Sequence, residues 1–489
     1  MGRWRYAFFA LAGLAYVAGA GGVGFVGPDE PRYAEVTREM AEHPLVPTLW
    51  GDPWFEKPVL LYWVGMGFVR LLGDREIAYR MGSLLAALML AWLVARVARG
   101  EGGRRGEIAA TVLLASPMWA GYAHGASTDM LFSTTLAAAI LFAYQWIEGD
   151  PRACYPAYSF LALALLAKGP AGPFLFALIV GAYVLYRRRG RVLLSRRHLG
   201  AILLFLLIGS PWYVYMIFGY EGTFFTDFIL NHNLRRYATE MYEHTQPAYF
   251  YLPVLLLGVL PFSALLLTRS FPRDNLSVLS ALAVVIPAVF FSFSGSKLPG
   301  YVLPCIPFLC IILSALPMDG RFPRVALMVV QVAGAGYLIW RLREAGIPTG
   351  QAVLLGASFL IAGVLVGLAS VRLEAAAAVI LVGFLMLKLV GGAQLDRSLS
   401  SRPLARALVD RCDTADLVLF MEDRATVYGL SYYAGHKVDD TRAPGEVLTG
   451  TRSFVLTTPA GLGLLRTFDS KDFDQIWTHE GHILARMAP

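Results

Sequence analysis

The sequence predicts an all-α polytopic membrane protein of about thirteen transmembrane helices, followed by a small α/β domain outside the membrane. Three observations predict it. Of the 489 residues, 56% are hydrophobic and only 16% charged, against roughly 25% charged for a soluble domain. The mean hydropathy is +0.55, and apolar runs about twenty residues long recur almost without interruption to about residue 390. Beyond about Gln394 the pattern changes to short alternating runs separated by polar and Gly/Pro breaks, which reads as a mixed α/β unit.

The first run, 6–26, follows Arg3 and Arg5 but has no clear A-x-A cleavage site, so it reads as an uncleaved span. Further spans are expected near 77–98, 107–123, 127–147, 155–168, 169–186, 199–218, 249–267, 275–293, 301–318, 322–340, 350–371 and 374–390. The pair on either side of Lys168 and Gly169 is separated only by a Pro/Gly break. Segment 58–72 is apolar but short, with Glu56 and Arg70 at its flanks, and suits an interfacial or re-entrant helix. If it does not cross, the Arg-rich loops 96–105 and 187–197 fall inside, with Arg269, Arg273, Arg321, Arg324 and Arg372. If it crosses, they all move outside, against the positive-inside rule. The expected organisation is therefore a membrane domain over 1–392, with a first outer loop at 27–76 and an inner N-terminus, and an extracytoplasmic domain over 393–489. In that domain, 417–421, 427–433, 453–458 and 482–487 read as strand-like.

The net charge of +7 lies in short clusters between spans, where it sets topology, so no nucleic-acid partner is expected. Cys154, Cys305, Cys310 and Cys412 have no metal-type spacing. Nor do His43, His232 and His244 on the outer side, so no metal or other cofactor is expected.

With that orientation the polar residues collect at the outer face. The first outer loop opens Gly-Pro-Asp-Glu-Pro-Arg-Tyr-Ala-Glu. Asp29, with Pro28 and Pro31 restricting its backbone, reads either as a general base or as the N-cap of an amphipathic surface helix. Arg32 and Tyr33 follow on that helix. Trp54, Phe55, Glu56 and Lys57 place an aromatic platform beside an acid–lysine pair, suited to an anionic headgroup or to an interfacial aromatic belt. Asp129 at the start of a span is a functional candidate or another cap. Lys297 and Tyr301 in Ser-Lys-Leu-Pro-Gly-Tyr, and the neighbouring Arg235 and Arg236, add groups that bind phosphate. Carboxylates that handle an acceptor and cations that hold a phosphate leaving group, together on one face, fit a phosphate-linked lipid donor.

Asp-Glu-Pro-Arg-Tyr-Ala-Glu, Phe-Glu-Lys-Pro, Ser-Thr-Asp-Met-Leu-Phe, Lys-Gly-Pro and Ser-Lys-Leu-Pro-Gly-Tyr occur in this order. Together they resemble the aminoarabinose transferase (ArnT)-like branch of the protein O-mannosyltransferase superfamily, over residues 1 to about 390. The resemblance implies a glycosyltransferase-C fold in a bacterial inner membrane, with the C-terminal domain in the periplasm. It implies an inverting transfer from an undecaprenyl-phosphate-linked sugar to a lipid A-like or other envelope glycolipid acceptor, with a protein acceptor as the alternative. A transporter or flippase for a polyprenyl-linked substrate is the alternative from another class. Asp29 then corresponds to the catalytic aspartate, with Glu56 and Asp129 as further acids. Lys57 corresponds to a donor-phosphate ligand, joined by Arg236 or Arg235, Tyr301 and Lys297, while Arg32, Tyr33, Trp54 and Phe55 line the substrate.

Overall fold

The structure is a computed structural model. It describes residues 2–99, 104–220, 222–228, 246–267, 271–316, 321–344, short stretches of 347–361, and 373–468, 473–479 and 481–487. Among these, six helices are long and apolar enough to cross a bilayer: Glu76–Val97, Thr128–Glu148, Arg196–Gly219, Asn275–Ser292, Val325–Glu344 and Glu374–Leu399.

The remaining apolar segments expected as spans are shorter helices or broken ones, and each break has a local cause. Helix α1 (Gly2–Val17) is followed by α2 (Asp29–Glu39), which is not the surface helix expected: its residues from Glu30 to Thr37 are all buried, because later elements of the chain pack over it. A two-stranded hairpin, β1 (Thr48–Leu49) and β2 (Asp52–Pro53), leads to α3 (Leu60–Leu72). At about 1.5 Å per residue α3 is too short for a bilayer core of about 30 Å. After α4 (Glu76–Val97), the segment expected at 107–123 splits at Ser116–Pro117 into α5 (Arg105–Ala115) and α6 (Pro117–Ala123), because proline has no N–H to continue the ladder. The long α7 (Thr128–Glu148) leads to α8 (Cys154–Lys168) and α9 (Ala171–Arg187). Between α8 and α9, Gly169 at φ +93 takes a backbone conformation open to glycine and ends α8 on Lys168. Then come α10 (Arg196–Gly219), α11 (Tyr251–Gly258), α12 (Asn275–Ser292), a 3-10 turn at Pro299–Cys305, α13 (Ile306–Ser314), α14 (Arg321–Glu344) and α15 (Leu373–Leu399). The span expected at 350–371 lies largely outside the described residues.

Helix α7 is the centre of the bundle: its most apolar stretch is 83% buried, against 22% for α10. Its first turn carries Asp129, so the central helix delivers a carboxylate to one end of the bundle. At the other end sit the basic groups, with Arg105 on Asp274 at 2.8 Å, Arg104 on Glu374 at 3.0 Å and Arg187 on Glu148 at 2.7 Å.

Beyond α15 comes an α/β unit built of α16 (Arg402–Val409), β3 (Leu417–Phe420), α17 (Arg424–Ala434), β4 (Asp439–Thr441), α18 (Pro444–Thr449), β5 (Phe454–Thr457), α19 (Pro459–Phe468), β6 (Phe473–His479) and β7 (His482–Met487). The sheet order is β4-β3-β5-β7-β6, parallel on the β4, β3, β5 side and antiparallel through β7 and β6. Successive strand residues feed opposite faces. Leu417 and Leu419 join Leu404, Leu408 and Leu430 on one side, and Val418 and Phe420 join Val447, Leu462 and Leu465 on the other.

One expectation is corrected. Residues 427–433 are helical, inside α17, and not a strand. The β-branched and aromatic composition favours a strand, but Asp423 accepts from Ala425 N at 2.7 Å and Thr426 N at 2.9 Å, and Gly435 at φ +78 ends the element. Cap and stop outweigh propensity here.

Candidate active site at one end of the bundle

The site begins with the chain leaving α1. Gly27 at φ +68 turns it, and α2 starts at Asp29 with Pro28 before it and no side-chain cap bond. The Asp29 carboxylate instead pairs with Arg32, one turn on. Their exposures differ sharply: the Asp29 side chain is 57% open and that of Arg32 is 5% open. A buried cation thus holds an acid that faces outward.

Arg32 is fixed from several sides. Its Nη1 lies 3.3 Å from Glu56 Oε2, and Glu56 Oε1 lies 3.4 Å from Lys57 Nζ. Its guanidinium carbon sits 5.2 Å from the Trp54 ring, 5.8 Å from Tyr33 and 5.1 Å from Tyr428 of α17. Burial opposes its charge, yet Glu56 and Asp29 beside it carry its pKa above the ordinary arginine value. Arg32 Nε is buried with no hydrogen-bond partner among the described residues.

The hairpin explains why Trp54 to Lys57 arrive here. Trp50 at φ +57 and Gly51 at φ +82 make its turn, a pairing that matches strand twist. The Glu39 carboxylate at the end of α2 accepts from Trp50 N at 2.6 Å and Gly51 N at 3.1 Å. Helix α2 therefore holds the hairpin, and the chain leaving it passes Arg32. Phe55 turns inward and packs on Tyr220 at 5.1 Å and Phe224 at 5.4 Å, and buried Tyr33 packs on Tyr62 at 6.3 Å.

A second cluster lies beside the first. Ser127 occupies the N-cap of α7 without a side-chain cap bond. Asp129 pairs with Lys168, which Gly169 and Pro170 leave at the end of α8. The Lys168 ammonium lies 5.0 Å from the Tyr301 ring and 5.4 Å from Phe132. Gly300 approaches so closely that an added Cβ would meet Asp129 Oδ2 at 2.8 Å and the Tyr122 hydroxyl at 2.9 Å. The Tyr122 hydroxyl and Asp129 thus flank Gly300 from the same side of the 3-10 turn.

The structure thus brings together Asp29, Arg32, Trp54, Glu56 and Lys57 in one group, and Asp129 and Tyr301 in another. Tyr33 and Phe55 pack as buried supports of the first. Lys297 is buried, with its ammonium donating to the Ser294 carbonyl at 2.7 Å. Arg235 and Arg236 lie outside the described residues. Sequence reasoning did not single out Lys168, although the Lys-Gly-Pro break was visible, nor Tyr122 and Tyr428, which carry no local signal. It also passed over Glu30 and Arg80. Glu30 is buried under α2 and takes Arg80 Nε at 2.9 Å, Arg80 Nη2 at 2.6 Å, Val26 N at 2.8 Å and Ala126 N at 2.7 Å. Arg80 also donates to the carbonyls of Ala20 at 2.9 Å, Val23 at 2.7 Å and Gly24 at 2.7 Å.

The fold is shared with solved proteins. ArnT from Cupriavidus metallidurans, in a crystal structure bound to undecaprenyl phosphate, superposes with a TM-score of 0.78 at 21% identity, over 99% of this chain and 98% of that one. Its apo crystal structure matches equally, with a TM-score of 0.78. Residues 56–215 match the family model described as dolichyl-phosphate-mannose-protein mannosyltransferase. The undecaprenyl phosphate-alpha-4-amino-4-deoxy-L-arabinose arabinosyl transferase of Serratia proteamaculans is 30% identical over 370 residues, 69% of this chain and 66% of that protein. The protein of the same name from Pseudomonas aeruginosa is 32% identical over 310 residues, 60% of this chain and 56% of that one. The chain therefore spans between about half and two thirds of these relatives' own length. Fold and arrangement define a multi-pass membrane protein that shares the fold of ArnT. The chain belongs to the superfamily that joins ArnT-like and protein O-mannosyltransferase-like membrane proteins.

Proposed function

We propose that the chain is an inverting glycosyltransferase. It moves a sugar from an undecaprenyl-phosphate-linked donor to an envelope acceptor, most directly a phosphate of lipid A or another glycolipid. The observation that carries this reading is the open Asp29 carboxylate on the buried Arg32, which continues through Glu56 to Lys57. The names of the Serratia and Pseudomonas relatives support the donor and the pentose. The undecaprenyl phosphate named with the Cupriavidus structure supports a polyprenyl phosphate ligand.

In this scheme Lys57, with Arg235 or Arg236, holds the donor phosphate, and Tyr301 and Lys297 border the same face. The acceptor oxygen attacks the anomeric carbon while the bond from that carbon to the phosphate oxygen breaks, and undecaprenyl phosphate leaves with the electron pair. A phosphate acceptor is already ionised near neutral pH, so Asp29 positions it. A hydroxyl acceptor gives its proton to Asp29. Arg32 keeps Asp29 aimed through the ion pair between them. Glu56 and Asp129 serve as further acids, the first orienting Lys57 and Arg32 and the second orienting Lys168. Trp54 and Tyr33 wall the substrate and Phe55 supports them. The site faces the periplasm in a bacterial inner membrane, with the N-terminus cytoplasmic, because that orientation places the basic ends of the bundle inside. A protein hydroxyl as acceptor is the second reading, favoured by the family model matched over residues 56–215.

The test is transfer by purified protein in liposomes, from radiolabelled undecaprenyl phosphate-linked 4-amino-4-deoxy-L-arabinose to lipid A. Asp29→Asn is expected to lower the rate by a factor on the order of 10² to 10⁴, and Lys57→Ala to abolish transfer at donor levels that saturate the wild type. Both variants transferring at the wild-type rate would refute the reading. Label in protein, with none in lipid, would select the second.

A further inference from the structure

We propose that Tyr428, carried by the C-terminal α/β unit, is a positioning residue for the transfer, acting through Arg32. The inference rests on the function proposed above and assigns the C-terminal unit a part in the site.

The geometry starts with α17. Residues four apart share a helix face, so Tyr428 and Tyr432 point the same way, toward α2. Arg32 lies 5.1 Å from the Tyr428 ring and Arg38 lies 5.0 Å from the Tyr432 ring. The two contacts differ in what stands behind them. Arg38 pairs with Glu35, a buried carboxylate on α2. Arg32 holds Asp29 and Glu56.

A guanidinium is planar and offers its donors in a rigid fork, so fixing its plane fixes where they aim. Trp54 at 5.2 Å and Tyr428 at 5.1 Å supply two aromatic rings from opposite ends of the sequence. Attraction to an aromatic face strengthens when the cation is desolvated, and Arg32 is 5% exposed. Removing the Tyr428 ring exposes Arg32 to water and frees its plane, so the fork toward Asp29 and Glu56 loosens.

Docking of the unit does not depend on Tyr428. Tyr432 donates to Asp74 at 2.6 Å, and Tyr433 donates to Glu76 at 3.0 Å and accepts from Phe25 N at 2.9 Å. Arg402 bridges Glu76 at 3.0 Å and Asp396 at 2.8 Å. The position is therefore separable from the joint.

The experiment measures transfer in liposomes for wild type, Asp29→Asn, Tyr428→Ala, Tyr428→Phe, Arg32→Lys and the Tyr428→Ala/Arg32→Lys double variant, with thermal unfolding of each in detergent. Tyr428→Ala is expected to lower kcat roughly ten- to thirty-fold with donor KM unchanged, since the interaction acts on the transition state. Tyr428→Phe keeps the ring and recovers most of the rate. The double variant is expected to lose little more than Arg32→Lys alone, because the two residues act as one unit. Wild-type kcat in Tyr428→Ala, equal losses in the Ala and Phe variants, or fully additive losses would overturn the proposal. So would a rate loss in Tyr428→Ala that simply tracks a fall in unfolding temperature. An active Asp29→Asn would overturn the proposed function and this inference with it. An inactive Asp29→Asn beside a fully active Tyr428→Ala overturns this inference alone.

Discussion

Arg32 and Arg80 show two uses of a buried guanidinium on either side of α2. Arg80 has Glu30 and three backbone carbonyls, so its charge is matched and its donors are taken. That arrangement ties α4 to the turn that launches α2 and to Ala126 ahead of α7. Removing one partner leaves an uncompensated buried charge, and Arg80→Ala is expected to cost about 3–5 kcal/mol. Thermal unfolding in detergent would read this as a large fall in midpoint, with transfer lost only where the fold is lost. Arg32 instead keeps one donor, Nε, without a hydrogen-bond partner among the described residues, and faces an open acid. Arg32→Lys is expected to keep the fold and lose transfer, because a point charge cannot hold Asp29 and Glu56 in one plane. Stability unchanged with activity reduced at least tenfold is the signature; activity unchanged would separate Arg32 from the site.

At the scale of elements, short pieces bring most of the candidate site together at the ends of long helices. The 3-10 turn at Pro299–Cys305 brings Gly300 against Asp129 and Tyr122. Gly300→Ala is expected to push Asp129 off Lys168, with an overpacking cost of about 1–3 kcal/mol and a fall in transfer larger than the fall in stability. Equal kinetics in Gly300→Ala and wild type would show that the close approach is incidental. The same scale explains what was legible in the sequence. Apolar length marked α4, α7 and α10 because lipid demands long unbroken apolar runs. The Gly/Pro break marked the end of α8 because backbone conformation there is local. Asp29, Glu56 and Asp129 were visible because acids beside apolar spans stand out. Lys168 stayed hidden, since a lysine at a helix end reads as an ordinary C-terminal cation, and its pairing with Asp129 is a tertiary fact. Tyr428 stays hidden for a different reason: its β-branched and aromatic segment has the composition of a strand, and the period of a strand gives the wrong neighbours on its face.

For the whole molecule, the joint between bundle and α/β unit is polar and specific. Asp74, Glu76 and Asp396 on the membrane side receive Tyr432, Tyr433 and Arg402, and Val26 bridges to Ser400. Arg402→Ala strips two carboxylates of one partner and is expected to speed limited proteolysis near residue 400 while leaving the helices of the bundle protected. An unchanged digestion pattern would assign the joint to the tyrosines alone. The proposed reaction is a single displacement in which Asp29 serves the acceptor and undecaprenyl phosphate departs. It is decided by the anomeric configuration of the transferred sugar, read by NMR on product made by the purified protein from a donor of known configuration. Inversion, lost together with transfer in Asp29→Asn, is the predicted result; retention of configuration would require a covalent glycosyl intermediate and would contradict the account.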